Sequence, residues 1–209
     1  MAISCGKCGR QYDVTLFEFG RTIDCACGMR VGFEHKLVLP KKGKIKFFAD
    51  VNVARLVRWL RAIGIDTWWE DAIADADLVR RAIRENRFVL TLDKRLVKEW
   101  RTDNVLLLTS EKPVEQFAEV VEHFKLKLPA RFFTSCLVCS SVLRRASAKE
   151  IAANVPPRVR ENNELFFYCP NCEKIYWKGS HTQRMRAAIE DVFNLCPAAR
   201  AEKIGNDFS

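Results

Sequence analysis

The chain has 209 residues, 48% of them hydrophobic, and 35 Lys and Arg stand against 26 Asp and Glu for a formal charge of +9. That suffices for one ordinary core plus something smaller, or for several small modules. No apolar run reaches the roughly 18 residues of a membrane span, and Met1-Ala-Ile-Ser-Cys-Gly-Lys-Cys8 lacks the apolar stretch of a secretory signal. The positive surplus favours anionic partners, nucleic acid first among them; its bland counterpart is a solvated surface that keeps a protein soluble.

Residues 1–39 hold Cys5, Cys8, Cys25 and Cys27 between short alternating stretches, Tyr12–Phe17 and Arg30–Phe33, that read as β-hairpins. Pro40–Lys46 is a basic linker in which Lys41, Lys42 and Lys44 cluster. At Ile45 the pattern changes. Ile45–Ala49 reads as a strand ending at Asp50. At about 100° per residue, Leu56, Val57, Leu60 and Ile63 then share one helical arc, with Arg55, Arg58 and Arg61 off it and Gly64 as the residue that ends the helix. Ile65–Trp69 is a second strand. Asp77–Asn86 is a helix with Leu78, Val79, Ala82 and Ile83 on one side, and Arg87–Leu92 a third strand leading to Asp93. Lys94–Trp100 is a short helix. Asn104–Thr109 is a fourth strand, apolar enough for burial on both faces. Val114, Phe117, Val120, Val121 and Phe124 mark a last helix at helical spacing. Strands alternating with helices predict an α/β parallel sheet flanked by helices. The chain thus divides into an N-terminal zinc ribbon (1–39), the α/β domain (45–128), a second zinc ribbon (130–185) and a basic helical tail (186–209).

Nine cysteines in such a chain suit a reducing cytoplasm, where they more often bind metal than form disulfides. Cys136-Leu-Val-Cys139 and Cys169-Pro-Asn-Cys172 are paired C-x-x-C knuckles, the pattern of a closed, structural four-thiolate zinc site, with a helix expected at Ala148–Val155 in the loop between them. Cys5-Gly-Lys-Cys8 with Cys25-Ala-Cys27 forms a second such set; its C-x-C half is tighter, His35 is an alternative ligand, and Gly6, Gly9 and Gly28 supply turn freedom. Two structural zinc ions are expected, each holding together a module with little apolar mass of its own. Redox chemistry at C-x-x-C is disfavoured, because neither knuckle opens a helix in a thioredoxin-like unit. Cys196 stands alone as an unassigned thiol.

In a parallel sheet, sites form outside the carboxyl ends of the strands. Asp50 and Asp93 each follow a predicted strand, and Asp75 and Asp77 begin the second helix on the same edge. Carboxylates that converge repel one another unless a cation sits between them, and hard oxygen ligands suit Mg2+ or Mn2+, which activates water and neutralises charge on a phosphodiester. Lys94, Arg95 and Arg55 lie near enough in sequence to meet phosphate. Each acid also has a plain helix-capping role open to it: Asp75 as N-cap, Asp77 in the first turn, Asp93 before Lys94.

Several strings, in order, resemble the Mut7-C domain, a PIN-like ribonuclease family: Asp50-Val-Asn-Val-Ala-Arg-Leu-Val-Arg-Trp-Leu, Ala74-Asp-Ala-Asp-Leu-Val79, Leu90-Thr-Leu-Asp93-Lys-Arg-Leu96, Cys136-Leu-Val-Cys139, Val155-Pro-Pro-Arg-Val159, Cys169-Pro-Asn-Cys172 and Tyr176-Trp-Lys-Gly-Ser-His181. The resemblance covers about 45–185 and leaves out the N-terminal ribbon. It implies a PIN-like sheet, a divalent metal and RNA hydrolysis. By motif position Asp50 and Asp93 are metal ligands, and Asp75 and Asp77 compete for the third place because Ala76 separates them. A fourth acid of some PIN-like proteins has no match. His181 is expected to order the junction between ribbon and core or to contact RNA. The expected function is a metal-dependent ribonuclease acting at an aspartate rim, with RNA, the ribosome or RNA-processing proteins as partners. The alternative is a non-catalytic RNA- or ribosome-binding zinc-ribbon protein. A DNA-binding regulator is weaker, for there is no helix-turn-helix and no C2H2 spacing.

Overall fold

A computed structural model of the chain describes residues 2–32, 43–129 and 132–196. Expectations for His35, Lys41, Lys42 and residues 197–209 of the tail lie outside these. The chain divides into two compact units, residues 1–54 with 69–109, and residues 55–68 with 110–209.

The first unit begins with two small hairpins. β1 (Ala2–Ser4) pairs antiparallel with β2 (Gln11–Asp13), and β3 (Ile23–Asp24) with β4 (Arg30–Val31). The stretch from Tyr12 to Phe17 is not extended throughout, as its alternation suggests. Asp13 accepts hydrogen bonds from the Thr15 amide (2.9 Å) and hydroxyl (2.7 Å), which stops the strand and starts a 3-10 turn, Val14–Gly20. The turn drops Phe17 into a small core with Cys5, Cys25 and Val31, edge-on to Tyr12.

Four strands form the main sheet: β5 (Phe47–Ala49), β6 (Thr67–Trp69), β7 (Phe88–Thr91) and β8 (Val105–Leu107), in spatial order β6-β5-β7-β8. β5 runs parallel to β7 with Phe47 opposite Phe88, and β7 parallel to β8 with Val89 opposite Val105. The helices that follow these strands in turn are α1 (Val57–Ala62), preceded by a 3-10 turn from Val51, then α2 (Asp75–Arg84), α3 (Lys94–Glu99) and α4 (Pro113–Phe124). The alternating pattern therefore builds the predicted α/β parallel sheet. Central β5 is buried at every residue, whereas β8 is only half-buried. Its apolar run suggests burial on both faces, but β8 is an edge strand with a neighbour on one side. Phe48, Val89, Leu78, Val79, Ala82, Leu96 and Trp100 make the core of this unit. α2 begins two residues earlier than its apolar pattern indicates, at Asp75, after an extended Ala74. α1 ends as expected: Gly64 (φ 80°) donates to Arg61 O, and Ile65 N donates to Leu60 O.

The N-terminal ribbon is fastened to the end of α3. Thr22 N donates to Glu99 O (2.5 Å), Arg101 N to Gly20 O (2.7 Å) and the Arg30 guanidinium to Lys98 O (2.6 Å).

In the second unit α4 packs on α7 (Ser180–Leu195) through an edge-on contact of Phe117 with Phe193. β9 (Arg144–Arg145), β10 (Phe166–Tyr168) and β11 (Ile175–Trp177) form a three-stranded antiparallel sheet in the order β11-β10-β9. The insertion between its knuckles holds the expected helix, α5 (Ala148–Asn154), started by a Ser147–Glu150 capping box, and a further short one, α6 (Pro157–Glu161). Arg61, off the apolar arc of α1, is not a surface residue: it is 5% exposed. Its guanidinium donates to Thr67 O (2.9 and 2.7 Å), Leu137 O (3.1 Å) and Val138 O. The ribbon's first knuckle sits on the side of the helix that the arc leaves open. Among the described residues no helix is long and apolar enough to cross a membrane.

Candidate metal centres and acidic rim

The cysteine knuckles share one backbone turn. At Cys5, Cys136 and Cys169 the cysteine carbonyl accepts from the amide four residues on (Gly9, Ser140, Glu173), and the cysteine amide donates to the carbonyl five residues on (Arg10, Ser141, Lys174). The residue four on is left-handed in each: Gly9 φ 72°, Ser140 φ 63°, Glu173 φ 58°. The C-x-C half repeats this turn one residue shorter, with Gly28 N to Cys25 O, Cys25 N to Met29 O, and Gly28 at φ 82°. Gly6, in contrast, has no positive φ among the glycines that do. Each turn aims its thiols at the partner knuckle. Cys5 lies 3.5 Å from Cys27 and Cys8 3.5 Å from Cys25; Cys136 lies 3.4 Å from Cys172 and Cys139 3.4 Å from Cys169.

Both sets of four bring their sulfurs within 4.8 Å of one another. Thiols this close cannot all ionise alone. Burial and the Cys136 sulfur push Cys172 up to about 12, while the Cys27 amide and the Tyr12 phenol bring Cys25 down to about 6. A tetrahedral Zn2+ removes that conflict, and four soft thiolates with no open position fit a structural zinc ion. Each ribbon also aims a phenol at one sulfur: Tyr176 Oη is 3.0 Å from Cys136 Sγ, and Tyr12 hydrogen-bonds Cys25. Among the described residues the N-terminal set is Cys5, Cys8, Cys25 and Cys27. Cys196 is buried at the end of α7, where burial pushes its thiol up.

The acids lie at the carboxyl ends of β5 and β7. Asp50 is 5% exposed, and its amide donates to Leu90 O across the sheet. One carboxylate oxygen accepts from Val51 N (2.6 Å), the other from Asn52 Nδ2 (2.8 Å) and Thr91 Oγ1 (2.6 Å). Thr91 Oγ1 accepts in turn from Asp93 N (2.9 Å), and Asn52 Oδ1 from Leu92 N (3.1 Å). These bonds fix the two strand ends to each other and hold the Asp50 carboxylate in one orientation. The string reading singles out Asp50 and Asp93 but gives no role to Asn52 or Thr91; the signal is a polar residue two places from each acid at a strand end.

Asp93 is half-buried and caps α3, accepting from Arg95 N (2.7 Å). Asp75 is not the cap of α2; it is the first residue of that helix. Partial burial, then the charges of Asp50, Asp93 and Glu99, raise its pKa above the ordinary carboxylate value, with Arg95 opposing. Glu99, which sequence reasoning passed over, is thus a fourth acid whose field reaches Asp75. Asp77 faces elsewhere. It pairs with Arg80 at 3.5 Å and lines a depression of about 460 Å3 with Glu70, Arg81 and Arg84. Among the described residues only the cysteine sets bring three or more ligand atoms within 4.8 Å; the aspartates stand further apart, yet close enough to raise Asp75. Lys94 and Arg95 are exposed in the first turn of α3, in the same unit as the rim. Lys44 and Arg55 are also exposed, Arg55 in the other unit. His181 is exposed in the first turn of α7, with Nδ1 3.1 Å from the Arg184 guanidinium.

The described residues thus combine a parallel α/β sheet, acids at the carboxyl ends of its strands, and two four-cysteine modules. Residues 45–189 match the family model described as the Mut7-C RNAse domain, and the chain belongs to that family. The family is one of ribonucleases, with RNA as the implied substrate. The N-terminal ribbon lies outside the match. No curated protein and no solved structure matches the chain.

Proposed function

We propose that this protein is a metal-dependent ribonuclease of PIN type, which hydrolyses RNA phosphodiester bonds at the rim formed by Asp50, Asp75 and Asp93. One observation carries this reading: the carboxyl ends of β5 and β7 bring Asp50 and Asp93 together, with the Thr91 hydroxyl donating to the Asp50 carboxylate and accepting from the Asp93 amide, and burial followed by the charges of both acids raises Asp75 on α2. Acids held so that they disfavour one another's ionisation are suited to a cation. Carboxylate oxygens match Mg2+ or Mn2+, which keep several waters and so tolerate ligands spread more widely than thiolates around zinc.

Asp50 and Asp93 would hold the ion, with Asp75, whose carboxyl feels the charges of both, as the third acid in preference to Asp77. The bound ion supplies neutralisation of charge on the phosphodiester and lowers the pKa of water. The chain's own groups do the rest. Asn52 and Thr91 keep Asp50 from rotating. Asp75, with raised proton affinity, takes the proton of the attacking water at its carboxylate. Lys94 and Arg95 meet the phosphates on either side of the scissile bond, and Lys41, Lys42, Lys44 and Arg55 add to the protein's overall charge attraction for RNA. The zinc ions are structural, and the thiols that hold them suit a cytoplasmic setting.

The test is cleavage of an end-labelled single-stranded RNA by the zinc-loaded protein with Mn2+, comparing wild type with Asp50→Asn. The proposal predicts metal-dependent cleavage by wild type and loss of at least about 100-fold in the variant, as for removal of a group that stabilises transition-state charge. Equal cleavage by both indicates a contaminating nuclease. No cleavage by wild type, with RNA still bound, overturns hydrolysis in favour of an RNA- or ribosome-binding protein.

A further inference from the structure

The two faces of the second ribbon's sheet are used differently. In an antiparallel pair, residues directly opposite share a face. Tyr168 and Arg144 are opposite each other, and that face is closed on itself: the Arg144 guanidinium lies 4.5 Å over the Tyr168 ring and is paired with Glu150 at 2.5 Å. On the other face Phe167 lies between Arg145 on β9 and Tyr176 on β11. Tyr176 points its hydroxyl at Cys136, so its ring forms the floor next to the metal centre. Phe167 is 39% exposed, although a phenylalanine on a three-stranded sheet has every reason to be covered. Leu165, two residues before it and so on the same face, is 48% exposed. Continuing the register by one pair sets Leu165 across from exposed Lys178. Arg145 is exposed, and among the described residues no carboxylate pairs with it.

The surroundings are basic. Residues 135–180 contain seven Lys and Arg against four Glu and no Asp. An apolar partner protein would need a wider uncharged surface than one ring and one leucine flanked by cations. An open aromatic ring beside an unpaired guanidinium is what an unpaired base and its phosphate require, because every base offers a π-face and the phosphates are met by charge. Duplex RNA is a poorer occupant, since its bases are already stacked.

We infer that Phe167 and Arg145, on the open face of β9-β10-β11, form a binding site for single-stranded RNA in which one base stacks on the Phe167 ring and a neighbouring phosphate pairs with Arg145. The inference rests on RNA being the ligand of this protein, but it does not depend on the aspartate rim being catalytic.

The experiment measures binding by fluorescence anisotropy, using the full zinc-loaded chain with Asp50→Asn to prevent cleavage. The probes are a short labelled single-stranded oligoribonucleotide and its abasic counterpart, which has the same phosphates and no bases. The site predicts that the intact strand binds at least about tenfold more tightly than the abasic one, the size of one base–aromatic stack. Phe167→Ala should abolish that difference while leaving abasic binding and zinc content unchanged. Phe167→Trp should retain it, and Phe167→Leu, which keeps apolar volume, should not. Arg145→Ala should weaken both probes and reduce the salt dependence by about one phosphate contact. Discrimination that survives Phe167→Ala and Phe167→Leu overturns the site, as does loss of both probes alike. Normal RNA cleavage together with that result refutes the stacking site alone. Base-dependent binding through Phe167 in a protein that never cleaves refutes hydrolysis and leaves the site standing.

Discussion

Asp75 binds its proton more tightly in the folded chain than in the unfolded one, where a carboxyl titrates near about 3.9. A raised folded value contributes stability that is fully present below the unfolded value and is lost as pH rises through the folded one. Asp75→Asn removes that loss. The variant should match wild type in urea unfolding at acidic pH and become the more stable of the two as pH rises towards neutral. A gap that is constant with pH would contradict this. Thr91 offers a second test. Its buried hydroxyl donates to Asp50 and accepts from Asp93 N, so Thr91→Val keeps the shape and leaves the Asp93 amide without its partner. The expected cost is about 1–3 kcal/mol in denaturant unfolding, with a larger fall in cleavage; an unchanged midpoint would show that the hydroxyl holds nothing. Asp50 and Asp93 are legible in the sequence because each ends an apolar run. Thr91, Asn52 and Glu99 are not, because their roles arise only when β5 lies beside β7 and α3 turns back toward α2.

The elements were readable where periodicity alone decides them and less so where a single hydrogen bond does. Alternation of strands and helices led to the parallel sheet. It could not reveal that β8 is an edge, since strand order is a long-range fact, nor that Asp13 would end β2 and start a 3-10 turn. The burial of Arg61 is also invisible to a helical arc, since the covering surface comes from Leu137 and Val138, far away in the chain. Its planar guanidinium satisfies three carbonyls from two segments, a task the single ammonium of lysine does not match. Arg61→Ala should therefore cost at least about 3 kcal/mol, from carbonyls left buried without donors, and Arg61→Lys should recover only part of it. Urea unfolding with zinc present measures both. A loss within about 0.5 kcal/mol, the range of ordinary surface substitutions, would show that the ribbon does not depend on this contact.

For the whole molecule, each compact unit contains one four-cysteine set, and in the first unit the ribbon is bonded to the end of α3, the helix that Asp93 caps and Glu99 closes. Purified protein should contain two zinc ions per chain. Cys139→Ser should leave one and unfold the second ribbon, because a structural site contributes folding energy directly; full zinc content in that variant would contradict the assignment. The paired knuckles of the second ribbon are evident from spacing; the C-x-C half of the first is the weaker signal, and the shortened turn at Cys25 explains how it still aims two thiols at one point. The central claim is that the acids at the sheet edge act as a cation-holding site and not as helix caps. Asp93→Asn separates the two, because asparagine caps a helix about as well as aspartate and carries no charge. The measurement is the Mn2+-dependent cleavage rate of Asp93→Asn on single-stranded RNA, beside its unfolding midpoint. The account predicts an unfolding free energy within about 0.5 kcal/mol of wild type and a cleavage rate lower by at least about 100-fold. A variant that is folded and cleaves at the wild-type rate would contradict it.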